Sequence, residues 1–372
     1  MPACDLAEQI SEALLDTSED TTVGEPFLAL PGSGEPRWLL PQRHRRIDST
    51  LAAWSPFRLR SQIKWGAVRA ANQTGVLSAL PNVAPVTIAG LDSFDWRAVG
   101  WKGTQNPIVA VHIGTPGMTR KAVLLLVDST TGTCCTVVKV PLTEAAKRAI
   151  LREAEVVLTL EREGHGCAPR LIYADYDRGI ATQTALLGTT GRRNFAPAYE
   201  SLLRSFTLKG ESTSIVEHAS DWQEQLLCPP CPEVDVSLLA DALSELCDTS
   251  ALPCCWVHGD FAPWNLKHMP DGTVALLDWE NAYRGGLPLQ DAFHFLHIQD
   301  YLFHRQPGAH SLEMAPVASR LGITLQQCHK LEVAFLVHFY LGRMAANESK
   351  HGKFLARTLR VVLRDGNHRS LN

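Results

Sequence analysis

His258-Gly259-Asp260-Phe261-Ala262-Pro263-Trp264-Asn265 is the stretch that decides how this 372-residue chain reads. It fits H-x-D-x-x-x-x-N, in which a carboxylate takes the proton of an attacking hydroxyl while an amide oxygen on the same loop binds Mg²⁺. That spacing folds one loop back so that a base and a metal ligand flank one phosphate. Thirteen residues beyond Asn265, Leu276-Leu277-Asp278-Trp279 closes an apolar strand with a carboxylate, where a second metal ligand is expected. A hard cation with octahedral geometry wants such carboxylate and amide oxygens beside phosphate oxygens. Taken singly, an Asp at a strand end is ordinarily a cap or turn former, and His258 reads as a hydrogen-bonded structural histidine. The combination at this spacing points to Asp260 as the catalytic carboxylate, with Asn265 and Asp278 on the metal.

Upstream, three β-branched apolar runs are separated by turn residues: IVAVHIG at 108–114, AVLLLVD at 122–128 and CCTVVKV at 134–140. They predict an antiparallel meander. Thr143 can cap a helix whose Ala146, Ile150, Val157, Leu158 and Leu160 recur near helical spacing until Gly164. Strand candidates at 170–175 and 179–187 complete a sheet-plus-helix unit that stops near Gly188. Beyond 190 the chain reads mainly as helix, interrupted at 254–280 by short strands, two of them joined by Pro270-Asp271-Gly272. The segment 325–347 predicts an amphipathic helix with Leu331, Ala334, Phe335, Val337, Phe339 and Leu341 on its apolar face.

Over roughly residues 105–300 these features resemble the aminoglycoside phosphotransferase and choline kinase group of the protein-kinase-like superfamily. The resemblance implies an α+β, bilobal protein-kinase-like fold: an N-lobe of antiparallel sheet plus helix at 105–188, a mostly helical C-lobe at 189–372, and an accessory N-terminal region at 1–104. It implies a lysine on the third strand that pairs with the nucleotide's α- and β-phosphates, and a glutamate on the next helix that holds it. Val137-Val138-Lys139-Val140 supplies the lysine. An unpaired ammonium inside that apolar strand would be costly, so Lys139 itself asks for an anionic partner. Glu153 and Glu155 both follow on the helix, on different faces, and the family's R-E pattern favours Glu153. Gly114-Thr-Pro-Gly117 occupies the place of the phosphate-covering loop, where small residues let backbone amides approach phosphate oxygens. Gln183 to Gly188 would correspond to the hinge. Asp291 matches an acidic residue expected to bond the catalytic loop. Within a dozen residues of Asp278 the chain reaches Leu289-Gln-Asp291, so the platform that binds a peptide in protein kinases is missing and a small hydroxyl-bearing acceptor is implied.

Composition bounds the reading. Charged residues make up 20% and the net charge is -4, so no basic excess draws the chain to nucleic acid. The N-terminus carries no recognisable secretory signal, and no window has the roughly 18 apolar residues of a membrane span. Ten cysteines therefore read as reduced thiols in a cytoplasmic protein. Cys134-Cys135 and Cys254-Cys255 read as small buried hydrophobes, and Cys228-Pro-Pro-Cys231 as a Pro-rich loop between helices. In the first hundred residues, 27–40 predicts two short strands around a Gly-Ser-Gly turn. The basic stretch Arg43 to Arg46 and the aromatic one through Trp54, Phe57 and Trp65 read as a solvated face.

Together the residues and the resemblance imply transfer of the γ-phosphoryl group of ATP to the hydroxyl of a small molecule, with Mg²⁺. A nucleotide-binding pseudokinase is the alternative, whose usual loss of the lysine or of either aspartate is not seen here. Glu211, Glu217, Asp221 and Glu224 would suit a cationic acceptor, or simply form a solvated helix face.

Overall fold

The N-terminal half alternates helices with the strands of one sheet, in the computed structural model, which describes residues 2–15, 24–44 and 47–369. Arg45 and Arg46 of the basic stretch lie outside the described residues. In chain order the elements are α1 (Ala3–Leu14), β1 (Gly24–Leu30), β2 (Trp38–Pro41), α2 (Asp48–Ala53), α3 (Leu59–Thr74), β3 (Ala84–Ala89), β4 (Ile108–Ile113), β5 (Lys121–Val127), β6 (Cys134–Pro141), α4 (Glu144–Arg162), β7 (Leu171–Asp175), β8 (Ile180–Thr184) and β9 (Thr189–Thr190). The three apolar runs are β4, β5 and β6, paired antiparallel as a meander. They sit inside an eight-stranded sheet of order β3-β1-β2-β4-β5-β6-β8-β7.

The runs are continuously apolar because the sheet is buried on both faces. Val109, Val111, Ile113, Leu124, Leu126, Val138 and Val140 alternate onto one face, where α1 adds Leu6, Ile10 and Leu14. Ile108, Ala110, Val123, Leu125, Val127 and Val137 take the other, where Leu51 of α2 and Trp65 of α3 join them. Each such side chain, fully buried, contributes about 1.5–3 kcal/mol, so a charge at Val111 or Leu125 would break the layer.

The N-terminal segments belong to this same sheet. β1 and β2 pair around the Gly32-Ser33-Gly34 turn, Leu30 opposite Trp38, and β2 then pairs with β4. The aromatic stretch departs from the solvated face expected of it. Trp65 is 6% exposed, lies 4.8 Å from the Trp38 ring and donates its indole N–H to the Leu51 carbonyl at 2.8 Å. The helix that carries it is mostly polar, and only its inward residues reveal the packing. Cys135 likewise differs from the buried thiol expected: it is exposed while Cys134 is buried, because successive strand residues point to opposite faces. All ten cysteines are free thiols.

Helix α4 starts where the sequence places it. Thr143 Oγ1 accepts the Ala146 N–H at 3.1 Å, and beyond the last turn Gly164 takes a φ of +84°. Ile150 and Ala154 pack on Ala181 of β8.

After β9 the elements are α5 (Pro197–Ser205), β10 (Thr207–Thr213), α6 (Ile215–Leu227), α7 (Val236–Glu245), β11 (Leu252–Val257), β12 (Leu266–His268), β13 (Val274–Leu276), β14 (Tyr283–Gly286), α8 (Gln290–Leu302), α9 (Ser311–Arg320), α10 (Leu325–Ala345) and α11 (Ser349–Arg369). The chain forms two compact units, Met1–Gly191 with Trp264–Glu280, and Arg192–Pro263 with Asn281–Asn372. In the first unit β9, β12 and β13 make a small second sheet. The second unit is mainly helical but holds a three-stranded sheet, β10-β11-β14. Two of those strands, 207–213 and 283–286, fall where helix was expected; they are short and largely polar and carry no clear strand period.

Helix α10 also differs from its expected amphipathic form. Val333 and Leu336 are buried along with Leu331, Ala334, Phe335 and Val337, while Phe339 is only half-buried. The helix is enclosed by α6, α7, α8, α9 and α11, so no side of it is left to solvent over that span. No helix among the described residues is long and apolar enough to cross a membrane.

Candidate functional site

The first unit concentrates charge around Lys139, and strand register explains how. Val123 of β5 lies opposite Lys139 of β6, so the two share a face, and Lys121, two residues before Val123, lies on that face too. Two ammonium groups are thereby delivered to one end of an apolar sheet. Lys139 Nζ donates to Glu153 Oε1 at 2.8 Å and Oε2 at 2.6 Å, and to Asp278 Oδ1 at 2.7 Å. Lys121 Nζ donates to Glu280 Oε2 at 2.5 Å and lies 3.5 Å from Asp278 Oδ1. Burial alone would lower both lysine pKa values. The Asp278 and Glu153 carboxylates outweigh it and hold both above the ordinary range, so both stay charged.

Of the two candidate glutamates, Glu153 is fully buried and makes the pair, whereas Glu155 is exposed. Glu153 Oε1 also accepts the Trp279 N–H at 3.3 Å, which ties α4 to the segment after β13. Asp278 takes a φ of +60°, a left-handed conformation that Asp tolerates better than most residues and that is costly enough to be a functional hint. Asn265 stands beside it: Leu266 pairs with Leu276, and the Leu277 N–H donates to the Asn265 carbonyl at 2.9 Å.

The donor set suits a hard divalent cation. It pairs a carboxylate with an amide on adjacent strand ends, and the Asp278 side chain is 39% exposed against 6% for Lys139 and 0% for Glu153. A cation can reach Asp278 without opening the core.

Gly114 and Gly117 bound the turn between β4 and β5. The Gly114 N–H donates to the Lys121 carbonyl at 2.9 Å, and a Cβ on Gly114 would stand 3.1 Å from that oxygen. Around Gly117 the space is open. In the segment expected as a hinge, a Cβ on Gly188 would come within 2.6 Å of the His268 carbonyl oxygen, so β12 packs directly on that backbone.

The second unit carries Asp260. Its loop is held from α8: Asp291 Oδ2 accepts the His258 N–H at 2.7 Å and Oδ1 the Gly259 N–H at 3.0 Å. Burial raises the Asp291 carboxyl to about 7 despite those two bonds. Gly259 has a φ of +78°, and a Cβ there would meet the Asn281 carbonyl oxygen at 2.6 Å. His258, fully buried, accepts the Asp260 N–H on Nδ1 at 3.2 Å and so shapes the turn. His294 stands behind Asp260. Its Nδ1 bonds the Phe261 carbonyl at 3.1 Å, its Nε2 lies 3.7 Å from Asp260 Oδ1, and burial depresses its pKa to about 3, leaving it neutral.

Lys121, Glu280 and His294 are additions to the sequence reading. Lys121 was legible in principle, since the hairpin turn fixes the register that puts it beside Lys139. Glu280 follows Asp278 by two residues, and nothing in the local pattern separates it from a surface acid.

No family model and no curated protein matches the chain. Among solved structures it is similar to a thermostable mutant of aminoglycoside phosphotransferase APH(4)-Ia, at 13% identity and a TM-score of 0.48 over 69% of this chain and 94% of that one. It is similar to the choline kinase LicA from Streptococcus pneumoniae at 16% identity, TM-score 0.44, over 71% and 92%. For the macrolide 2'-phosphotransferase MphH from Brachybacterium faecium the values are 16%, 0.46, 67% and 91%. Likenesses of that size carry no functional argument, which falls to the side chains themselves.

Proposed function

We propose that this chain is an ATP-dependent phosphotransferase that moves a γ-phosphoryl group onto a hydroxyl of a small molecule. The observation that carries the reading is the buried Lys139 ammonium, held by both Glu153 oxygens and by Asp278, next to Asn265. A cation in an apolar strand has to be paired, and a strongly perturbed group with a specific charge partner is a candidate for a functional site.

In this reading Lys139, kept in place by Glu153, pairs with the α- and β-phosphates. The Thr115 and Gly117 amides of the turn approach the phosphate oxygens, since the Gly114 N–H is taken by the Lys121 carbonyl and Pro116 has none. Asn265 and Asp278 would hold Mg²⁺, which when bound offsets negative charge on the phosphates. Asp260, five residues before Asn265 on the same loop, orients the acceptor hydroxyl and takes its proton as the new O–P bond forms and the bond to the leaving ADP breaks. Asp291 keeps that loop in place and touches no reacting atom. The short link from Asp278 to α8, which begins at Gln290, supports a small acceptor over a peptide.

The test is ATP consumption across a library of hydroxyl compounds, with Asp260→Asn as the blank. A positioned base contributes roughly a hundredfold to ten-thousandfold, so that variant should lose turnover on that scale and still bind nucleotide. Near-normal turnover in Asp260→Asn or Asp278→Ala would sink the assignment. ATP binding with no transfer to any acceptor would favour a pseudokinase.

A further inference from the structure

The second unit holds a cluster for which phosphotransfer has no use. His297 and Asp300 lie one helical turn apart on α8, and His310 precedes α9. One potential ligand atom from each of the three lies within 4.8 Å of the others. His297 is 1% exposed and Asp300 5%.

The hydrogen bonds around the cluster decide what it can do. His297 Nε2 is 3.0 Å from Glu332 Oε1, while Glu332 also accepts the backbone N–H of His310 at 2.7 Å and of Ser311 at 2.8 Å. Both Glu332 oxygens thus act as acceptors, so His297 donates from Nε2. The buried His297 Nδ1 has no hydrogen-bond partner. His310 Nδ1 is likewise backed by a carboxylate, Glu313 Oε2 at 3.1 Å, and its Nε2 lies 2.7 Å from Asp300 Oδ2. Two histidines, each with one ring nitrogen anchored on a carboxylate, together with a third carboxylate, is how proteins orient imidazoles for a metal.

We propose that His297, Asp300 and His310 form a binding site for a divalent transition cation of the zinc class, with Glu332 and Glu313 as the neighbouring carboxylates. Nitrogen and carboxylate donors in this ratio suit Zn²⁺ with water in the fourth position. Three ligand atoms spanning 4.8 Å contract to tetrahedral spacing with small side-chain shifts. Binding displaces the Nε2 proton of His310 to solvent. The cation would fasten the segment after α8 to α10 through Glu332, and α8 is the helix whose Asp291 holds the Asp260 loop.

The test uses the full chain, stripped with a chelator and titrated with Co²⁺, whose visible absorption reports tetrahedral nitrogen and oxygen coordination, and separately with Zn²⁺ by calorimetry. One equivalent of either should bind. His297→Ala should abolish the Co²⁺ spectrum. Glu313→Gln, at a half-exposed position that leaves folding intact, should weaken binding by about tenfold or more. The double variant Cys228→Ser/Cys231→Ser should bind as the parent does. Absence of stoichiometric binding, binding indifferent to both His297→Ala and Glu313→Gln, or binding lost in the cysteine variant would each overturn the proposal. If His297→Ala fails to fold, Glu313→Gln decides.

Discussion

Removing one partner from the Lys139–Glu153 pair should cost far more than removing both. Lys139 has three N–H donors, of which Glu153 takes two and Asp278 one, at 2.6–2.8 Å. Glu153→Ala strips a buried cation of its principal counter-charge, which costs about 3–5 kcal/mol. The low end applies here because Asp278 remains. Glu153→Gln keeps one acceptor oxygen and should cost about half as much, in keeping with roughly 1.5–3 kcal/mol for a hydrogen bond to a charged group. Lys139→Met leaves the buried Glu153 carboxylate unpaired and should cost about 3 kcal/mol. In Lys139→Met/Glu153→Leu neither charge remains and the volume is kept, so the two losses should not add, and the coupling should reach about 2 kcal/mol or more. Urea unfolding followed by circular dichroism gives the cycle, with hydrogen exchange on α4 as a local check. ATP binding should be lost in every variant lacking Lys139, including the stable double. Single-variant costs that add to within about 0.5 kcal/mol would mean that the pair is not desolvated, and the electrostatic argument would fall.

Lys267 is 3% exposed, donates to the Ala53 carbonyl at 2.6 Å, and burial depresses its pKa to about 8. Its folded pKa lies below its unfolded value, so at this site the unfolded chain binds more protons between pH 8 and about 10.5, and the contribution of Lys267 to stability should rise through that window by up to about 3 kcal/mol relative to a variant without the amine. Lys267→Met should flatten that rise in thermal melts at pH 8 and pH 10. Gly259→Ala meets both the positive φ and the Asn281 oxygen at 2.6 Å; we expect a loss of about 1–3 kcal/mol and of turnover, measured by melting temperature and ATP consumption, where a neutral result would refute the turn geometry. Cys228→Ser/Cys231→Ser removes two free thiols from the loop after α6 and should shift stability by no more than about 0.5 kcal/mol; a larger drop in denaturant midpoint would reveal a structural role.

The meander, helix α4 and the loop from His258 to Asn265 were legible because each has a local signature. The runs have β-branched residues and turn punctuation, Thr143 is a capping residue, and the loop has fixed spacing. Lys139 could be singled out because a charge in an apolar run is itself a signal. Trp65 was not legible: the helix LRSQIKWGAVRAANQT has a polar average, and the indole's burial is set by Trp38, far upstream and on a strand. Helix α10 fails for the opposite reason, since one apolar face was readable but enclosure by five neighbours is a tertiary property. The His297 cluster depends on α8, the segment before α9, and α10 meeting, which no single window of sequence contains.

The way β2 joins β4 bears on how this protein can be divided. Trp38 and Leu39 pair with His112 and Val111, and the Ile113 N–H donates to the Arg37 carbonyl at 2.8 Å. A chain begun at residue 105 would keep every motif quoted from the family resemblance and yet turn β4 into a raw sheet edge, with Val109 and Val111 bared on one side and Ile108 and Ala110 on the other. Unpaired, flat and apolar edges recruit one another. A fragment cut at the borders of the recognisable motifs would therefore be expected to precipitate, and its silence in an assay would speak of colloidal behaviour rather than of chemistry.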